Sequence, residues 1–374
     1  MRRHTRKFVR TYMTLTVALL GGLIVFNALA DPYNVYPAVH IKALLPHKPN
    51  NDHRRAKAGI VRQQQGWHTV IMGSSYAVVG MDASHPALTQ PAFNLGLNGG
   101  KLEEQLGALH YASRFDHEIK HVILIYDNQW LIQSATPSVD YLESPFNTRY
   151  SYIEYQGSNL LGMQSTEHAW HAVRQWARNG PATDDPFGRR LTPLIPQGKS
   201  QRLIFDDFLA SPDLARPVDG DAKNLDLFQQ FGSFCLERDI KLTVLIAPSH
   251  ISLLEHFENV GYWETWEDGK RHLVTLADEL NQTYPDAPGI SVWDFNGLTP
   301  YTTEPIPTLE DTATRMTYFW DPGHFRKELG DLMLQRIHAP DDQAVRPFGI
   351  QLNQDNIEPY LIDLRRDFSS RPSP

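Results

Sequence analysis

Five short runs of β-branched and other apolar residues, at 69–72, 92–95, 122–126, 242–247 and 290–293, alternate with stretches of helical periodicity. The runs have the composition of strands buried on both faces. Between them, Leu102, Leu106, Leu109 and Ala112 recur at helical spacing, as do Leu225, Phe228, Phe231 and Cys235. Leu253 and Phe257, then Leu273, Leu276 and Leu280, then Leu329, Leu332 and Met333 continue the pattern. Strand and helix in alternation imply right-handed crossovers. The fold class expected is therefore α/β: a three-layer α/β/α arrangement around a mainly parallel five-stranded sheet of flavodoxin-like kind.

Four regions lie outside this rhythm. Residues 12–30 carry no charge and follow Arg2, Arg3, Arg6, Lys7 and Arg10. That length suits a transmembrane helix, and the basic flank predicts a cytoplasmic N-terminus with the rest of the chain exported. The location expected is the inner membrane, single-pass, with the body in the periplasm or outside the cell. Ala28-Leu29-Ala30 ahead of Asp31 also fits a small-x-small cleavage site, so a signal peptide stays open. Residues 31–65, with Pro32, Pro37 and Pro46 and the basic cluster Arg54, Arg55 and Lys57, read as a connector ending in a short helix. A catalytic domain is expected over 66–338. Within it, 131–203 is rich in aromatics and prolines and reads as an insertion over the catalytic edge of the sheet. Residues 339–374 turn polar and read as a surface extension with a disordered tip.

With 374 residues the chain can bury one substantial α/β core. A net charge of -8 leaves no overall basic footprint, so nucleic acid is not an expected partner. The lone cysteine, Cys235, rules out a disulfide framework. His168 and His171 stand three apart on a helical stretch without a third ligand, so no metal is expected. Asn98-Gly99-Gly100 lacks the Lys-Ser/Thr of a phosphate loop, and no cofactor is expected.

The candidate chemistry begins where the first strand stops. Gly73-Ser74-Ser75 places hydroxyls at the mouth of a sheet, where α/β folds hold their ligands, although for the tripeptide alone a plain turn with a serine helix cap is the better account. A serine needs a base and oxyanion donors to act as a nucleophile. Asp321 and His324, three apart ahead of the last helix, form a carboxylate and imidazole that one loop can present together.

These residues resemble the SGNH or GDSL-like esterases and acyltransferases. Of that family's four blocks, Gly73-Ser74-Ser75 matches Gly-Asp-Ser, which makes Ser75 the nucleophile and leaves Ser74 in place of aspartate. Asn94 to Gly99 matches Asn-x-x-x-x-Gly, and Asp127-Asn128 falls at the third block, with Tyr126 at its glycine. Asp321 and His324 match Asp-x-x-His. The resemblance implies a Ser75, His324 and Asp321 triad and an oxyanion hole from the Ser75 and Gly99 amides and the Asn128 side chain. Ser74, Asn94, Asp127 and His250 are candidates for substrate contact. Asp31-Pro32-Tyr33 after the anchor, Ile246-Ala247-Pro248-Ser249-His250 and Gly261-Tyr262-Trp263 are similar to the membrane-anchored branch associated with polysaccharide O-acylation. The function implied is an esterase or O-acyltransferase acting on an envelope carbohydrate or related acyl ester, alongside envelope biosynthesis partner proteins. An inactive assembly or carbohydrate-binding component with the same fold is the alternative.

Overall fold

The computed structural model describes residues 2–48, 54–115, 118–132, 136–212, 214, 222–342 and 348–371. In chain order the elements are α1 (Arg2–Ala30), α2 (Arg54–Gln63), β1 (Thr69–Met72), α3 (Ser75–Gly80), β2 (Ala92–Asn94), α4 (Leu102–Ala112), β3 (His121–Tyr126) and α5 (Val139–Leu142). They continue as α6 (Tyr152–Leu161), α7 (Met163–Ala177), α8 (Gln201–Leu209), α9 (Ala222–Leu236), β4 (Lys241–Ile246), α10 (Ile251–Asn259) and α11 (Trp263–Thr283). The last are β5 (Ile290–Asp294), α12 (Lys327–His338), β6 (Ile350–Leu352) and α13 (Ile357–Ser370). They form two units: 1–64 with 139–185, whose elements are helical, and 65–138 with 186–374, which holds the sheet.

In the helical unit, α1 packs its C-terminal end against α6 and α7. The span His4–Ala30 is long and apolar enough to cross a membrane, and Leu15, Val17 and Leu19 on it are exposed. Residues 139–185, most of the stretch expected to cover the catalytic edge, group with these N-terminal helices; the rest of 131–203, with the start of α8, belongs to the body.

The sheet runs β2-β1-β3-β4-β5-β6. The first five strands are parallel, and β6 pairs antiparallel with β5, Val292 opposite Leu352. The α/β class and the five expected strands are present, and a sixth is added. It comes from the stretch expected to be a surface extension, as does α13. Three residues are too short to show a period. Helix α13 sets Ile357, Leu361, Leu364 and Phe368 inward along one narrow face among charged residues, so its mean composition reads as polar. Residues 372–374, at the tip expected to be disordered, lie outside the described residues.

The order in which strands are added reverses at β1, with β2 on one side and β3 on the other, so a crevice opens at the C-terminal ends of β1 and β3. The route out of β1 is narrow. Gly73 has φ +143, and a Cβ there would meet the Ile125 side chain and carbonyl at 2.9 Å. The Gly73 amide donates to Gln105 Oε1 at 3.1 Å. Ser74 then caps α3, its Oγ accepting from the Tyr76 amide at 3.3 Å. Helix α3 ends at Gly80, which lies flat against the Phe325 ring, and Gly330 of α12 lies against the Gly80 carbonyl. A methyl group on either glycine would overlap its neighbour.

Gly330→Ala is expected to destabilise the body by about 1–3 kcal/mol through overpacking. The urea unfolding midpoint measures it, and an unchanged midpoint would refute the close crossing of α3 and α12.

Candidate active site

Ser75 is the first residue of α3 and is partly exposed, at the crevice between β1 and β3. His324 reaches it from a loop that closes on itself. Phe319 and Phe325, both fully buried, pair as an isolated antiparallel bridge, and the Trp320 amide donates to the His324 carbonyl at 2.8 Å. Between those anchors Asp321 Oδ1 accepts from the amides of Gly323 at 2.9 Å and His324 at 2.8 Å. Gln201 of α8 holds the loop from outside, donating to the Phe319 carbonyl at 2.7 Å and accepting from the Met316 amide at 2.8 Å.

The result is a hydrogen-bonded chain. Ser75 Oγ lies 2.7 Å from His324 Nε2, and His324 Nδ1 lies 2.7 Å from Asp321 Oδ2. Both distances fall within the reach that a nucleophile and its base require. The His324 ring is supported by Tyr76, with centroids 4.6 Å apart, and by the edge of Phe208 at 6.0 Å. Burial disfavours the imidazolium, but the charge and hydrogen bond of Asp321, aided by Asp127, outweigh it and hold His324 above its ordinary pKa.

A cavity of about 200 Å³ opens beside the serine. Ser74, Gly99, Asp127, Trp130 and Phe208 line it with Ser75 and His324. Asp127 follows β3 and is buried, and its Oδ1 has no hydrogen-bond partner among the described residues. Burial pushes its carboxyl up to about 7, against the smaller opposing effects of the Ser74 hydroxyl, His324 and Lys101. A larger depression of about 610 Å³ near His110, Phe234 and Arg238 lies apart from these groups.

Three expected site residues lie elsewhere. Asn128 is turned into the protein: its Nδ2 donates to the Ala247 carbonyl at 2.7 Å and Ser249 Oγ at 2.8 Å. Its Oδ1 accepts from Trp266 Nε1 at 2.8 Å. An amide committed on both sides to buried partners is no oxyanion donor, which corrects that expectation. His250 does not line the cavity either. It caps α10, with Nδ1 accepting from the Ser252 amide at 3.2 Å and Nε2 bonded to the Glu304 carbonyl at 2.9 Å. Burial lowers its pKa, so it packs as a neutral ring against Phe205 and Phe319. Asn94 binds the end of α3, donating to the carbonyls of Ala77 at 2.7 Å and Met81 at 2.9 Å. It is not among the residues lining the cavity.

Sequence reading missed Lys101, Trp130, Phe208 and Gln201. Lys101 and Trp130 stand beside recognised blocks and could have been included on adjacency. Phe208 and Gln201 lie on α8, far along the chain from every block, and no local pattern marks them.

Asp127 gives a stability prediction of definite sign. Its folded pKa of about 7 lies above the ordinary 3.8, so between those values the folded chain holds the proton that the unfolded chain has lost. Its contribution therefore falls as pH rises through that window, by roughly 1.4 kcal/mol per unit. Asp127→Asn is expected to match wild type near pH 4 and to exceed it increasingly towards pH 7, read as urea midpoints; parallel curves would refute the shift.

No family model and no curated protein matches this chain, leaving the hydrogen-bonded Ser75, His324 and Asp321 and the cavity beside them as the ground for a functional reading.

Proposed function

We propose that this chain is a serine-dependent esterase or O-acyltransferase, held at the inner membrane by α1 with its body on the outer side, and acting on acyl esters of an envelope carbohydrate. The observation that carries the reading is a partly exposed serine hydroxyl 2.7 Å from an imidazole that is itself 2.7 Å from a carboxylate, beside a cavity. The resemblance to SGNH enzymes supports the acyl chemistry. Trp130 and Phe208 in the cavity wall offer ring faces of the kind that stack on sugars. The small cavity suits a short acyl group.

His324 takes the Ser75 proton as Oγ attacks the ester carbonyl, and Asp321 stabilises the imidazolium and fixes its tautomer. The Ser75 and Gly99 amides hold the oxyanion. Collapse breaks the ester bond; the alcohol leaves with the proton from His324 and the acyl group stays on Ser75. Water or an acceptor hydroxyl then attacks the acyl-serine by the same proton path, regenerating the enzyme. The side-chain donor that Asn128 does not provide is Asp127, whose neutral carboxyl carries an O–H at the cavity wall. A carboxylic acid kept neutral by burial serves as such a donor elsewhere.

The inward turn of Asn128 and the serine at position 74 favour a second reading, a non-catalytic envelope component. Hydrolysis of p-nitrophenyl acetate separates the two. Ser75→Ala and His324→Ala are each expected to lose on the order of 10³-fold or more in kcat, and a fluorophosphonate is expected to label Ser75. Equal rates in all three proteins, without labelling, would leave the non-catalytic reading.

The pH profile tests the Asp127 role. With His324 raised above its ordinary range and Asp127 at about 7, hydrolysis is expected to rise as His324 loses its proton and fall as Asp127 ionises. Asp127→Asn keeps a donor and removes a negative charge near His324. The alkaline limb should disappear and the acid limb move to lower pH; an unchanged profile would exclude Asp127 from the site chemistry.

A further inference from the structure

The turn between α6 and α7 exposes apolar side chains where the helical unit offers them nothing to pack on. Met163 is 88% exposed and Leu161 44%. Gly162 ends one helix and begins the next between them. Residues 155–166 contain no Asp, Glu, Lys or Arg, the nearest being Glu154 and Glu167. An apolar, charge-free tip facing water is unusual for a surface turn, and marks a site that something apolar covers.

Its height along α1 identifies the cover. Asn27 Nδ2 donates to the Leu160 carbonyl and to Thr166 Oγ1, each at 2.9 Å. One turn further along both helices, Ala30 and Ala169 share a small core with Leu44. Helix α7 therefore leaves its first turn in the same direction as α1, and the tip at 161–163 lies about one turn before Asn27. Residues 11–30 of α1 are charge-free, and twenty residues span about 30 Å, the thickness of bilayer hydrocarbon. A tip level with residue 24 or so is then roughly 9 Å inside the edge that Asp31 marks.

We propose that the α6–α7 turn dips into the outer leaflet beside α1, giving the helical unit a second hold on the lipid surface. The proposal rests on reading α1 as a membrane span. The turn goes no deeper than the outer leaflet, because the first amides of α7 lack helical partners and carrying them further into hydrocarbon would be costly. Exposed Trp170 lies seven residues along α7, roughly 10 Å above Met163, the level at which tryptophan collects in membrane proteins. Leu161 and Met163 supply the apolar contact, and Glu154 and Glu167 remain above it.

The test uses the full chain in vesicles of phosphatidylethanolamine and phosphatidylglycerol, with a nitrobenzoxadiazole fluorophore on Met163→Cys. Val25→Cys on α1 and Arg178→Cys at the far end of α7, exposed and fifteen residues beyond Met163, serve as references. Cys235 is buried, with its thiol pKa raised by burial, and leaves the introduced cysteine as the reactive one. Lipids carrying a nitroxide on the acyl chain are expected to quench the label at 163 nearly as strongly as at 25, and at least fivefold more than at 178, while aqueous iodide quenches only 178. Quenching of 163 by iodide and not by lipid, with 25 still quenched by lipid, would overturn the proposal and leave the membrane span standing. Protection of 163 from both quenchers would assign the turn to a protein partner and overturn it as well. Loss of lipid quenching at 25 would remove the span and the proposal together, while the hydrolysis reading would stand on its own assay.

Discussion

The close crossing of α3 and α12 is the constraint on which the site depends. Ser75 opens α3 and His324 stands just before α12, 249 positions apart in the chain. A pair so distant meets at 2.7 Å only if the two helices are fixed to within a fraction of an ångström. Gly80 and Gly330 provide that closeness by presenting bare backbone to each other and to Phe325. Phe319 and Phe325 then pin both ends of the intervening loop, so packing in the core sets the position of the half-buried imidazole beside Ser75. The entropy of ordering a long-range contact is met mainly by apolar burial, and the hydrogen bonds specify the geometry.

A second polar system lies beneath the first. Asn128, Asn296, Ser249 and the Ala247 carbonyl join the C-terminal ends of β3, β4 and β5, with Trp266 donating from α11. Close by, Lys270 and Asp294 form a fully buried ion pair at 2.6 Å, with the ammonium over the Trp266 ring. Strand ends of a parallel sheet leave backbone groups that need partners once helices cover them. Meeting that need takes the amide of Asn128 and leaves its neighbour Asp127 to face the cavity. Consecutive residues entering a tight turn point in different directions, and here the split separates a structural side chain from a chemical one.

That split also explains what sequence alone conveyed. The strand runs and helical periods were legible because they repeat over several residues, and the α/β class followed from their alternation. Ser75, Asp321 and His324 were legible because each sits at a strand end or helix start with a distinctive neighbour. Side-chain direction was not: nothing in Tyr126-Asp127-Asn128 says which of the two polar residues faces inward. His250 and Asn94 misled for the same reason, since a polar residue at a strand end is needed equally for capping and for binding. Strand β6 and helix α13 were illegible because brevity and a narrow apolar face leave little trace in composition.

Within the cavity, two carboxyl groups near one imidazole have unlike surroundings. Asp321 accepts from two backbone amides and lies against the His324 ring, so both of its oxygens have partners. Asp127 is buried with one oxygen unpartnered, which favours the neutral acid. Groups of the same type thus differ in the donors supplied to them, a difference that two carboxyls need before they can take separate parts in one site. Burying a carboxyl oxygen without a donor among the described residues costs stability that an asparagine or leucine would avoid, and the chain carries that cost at the wall of the cavity beside Ser75.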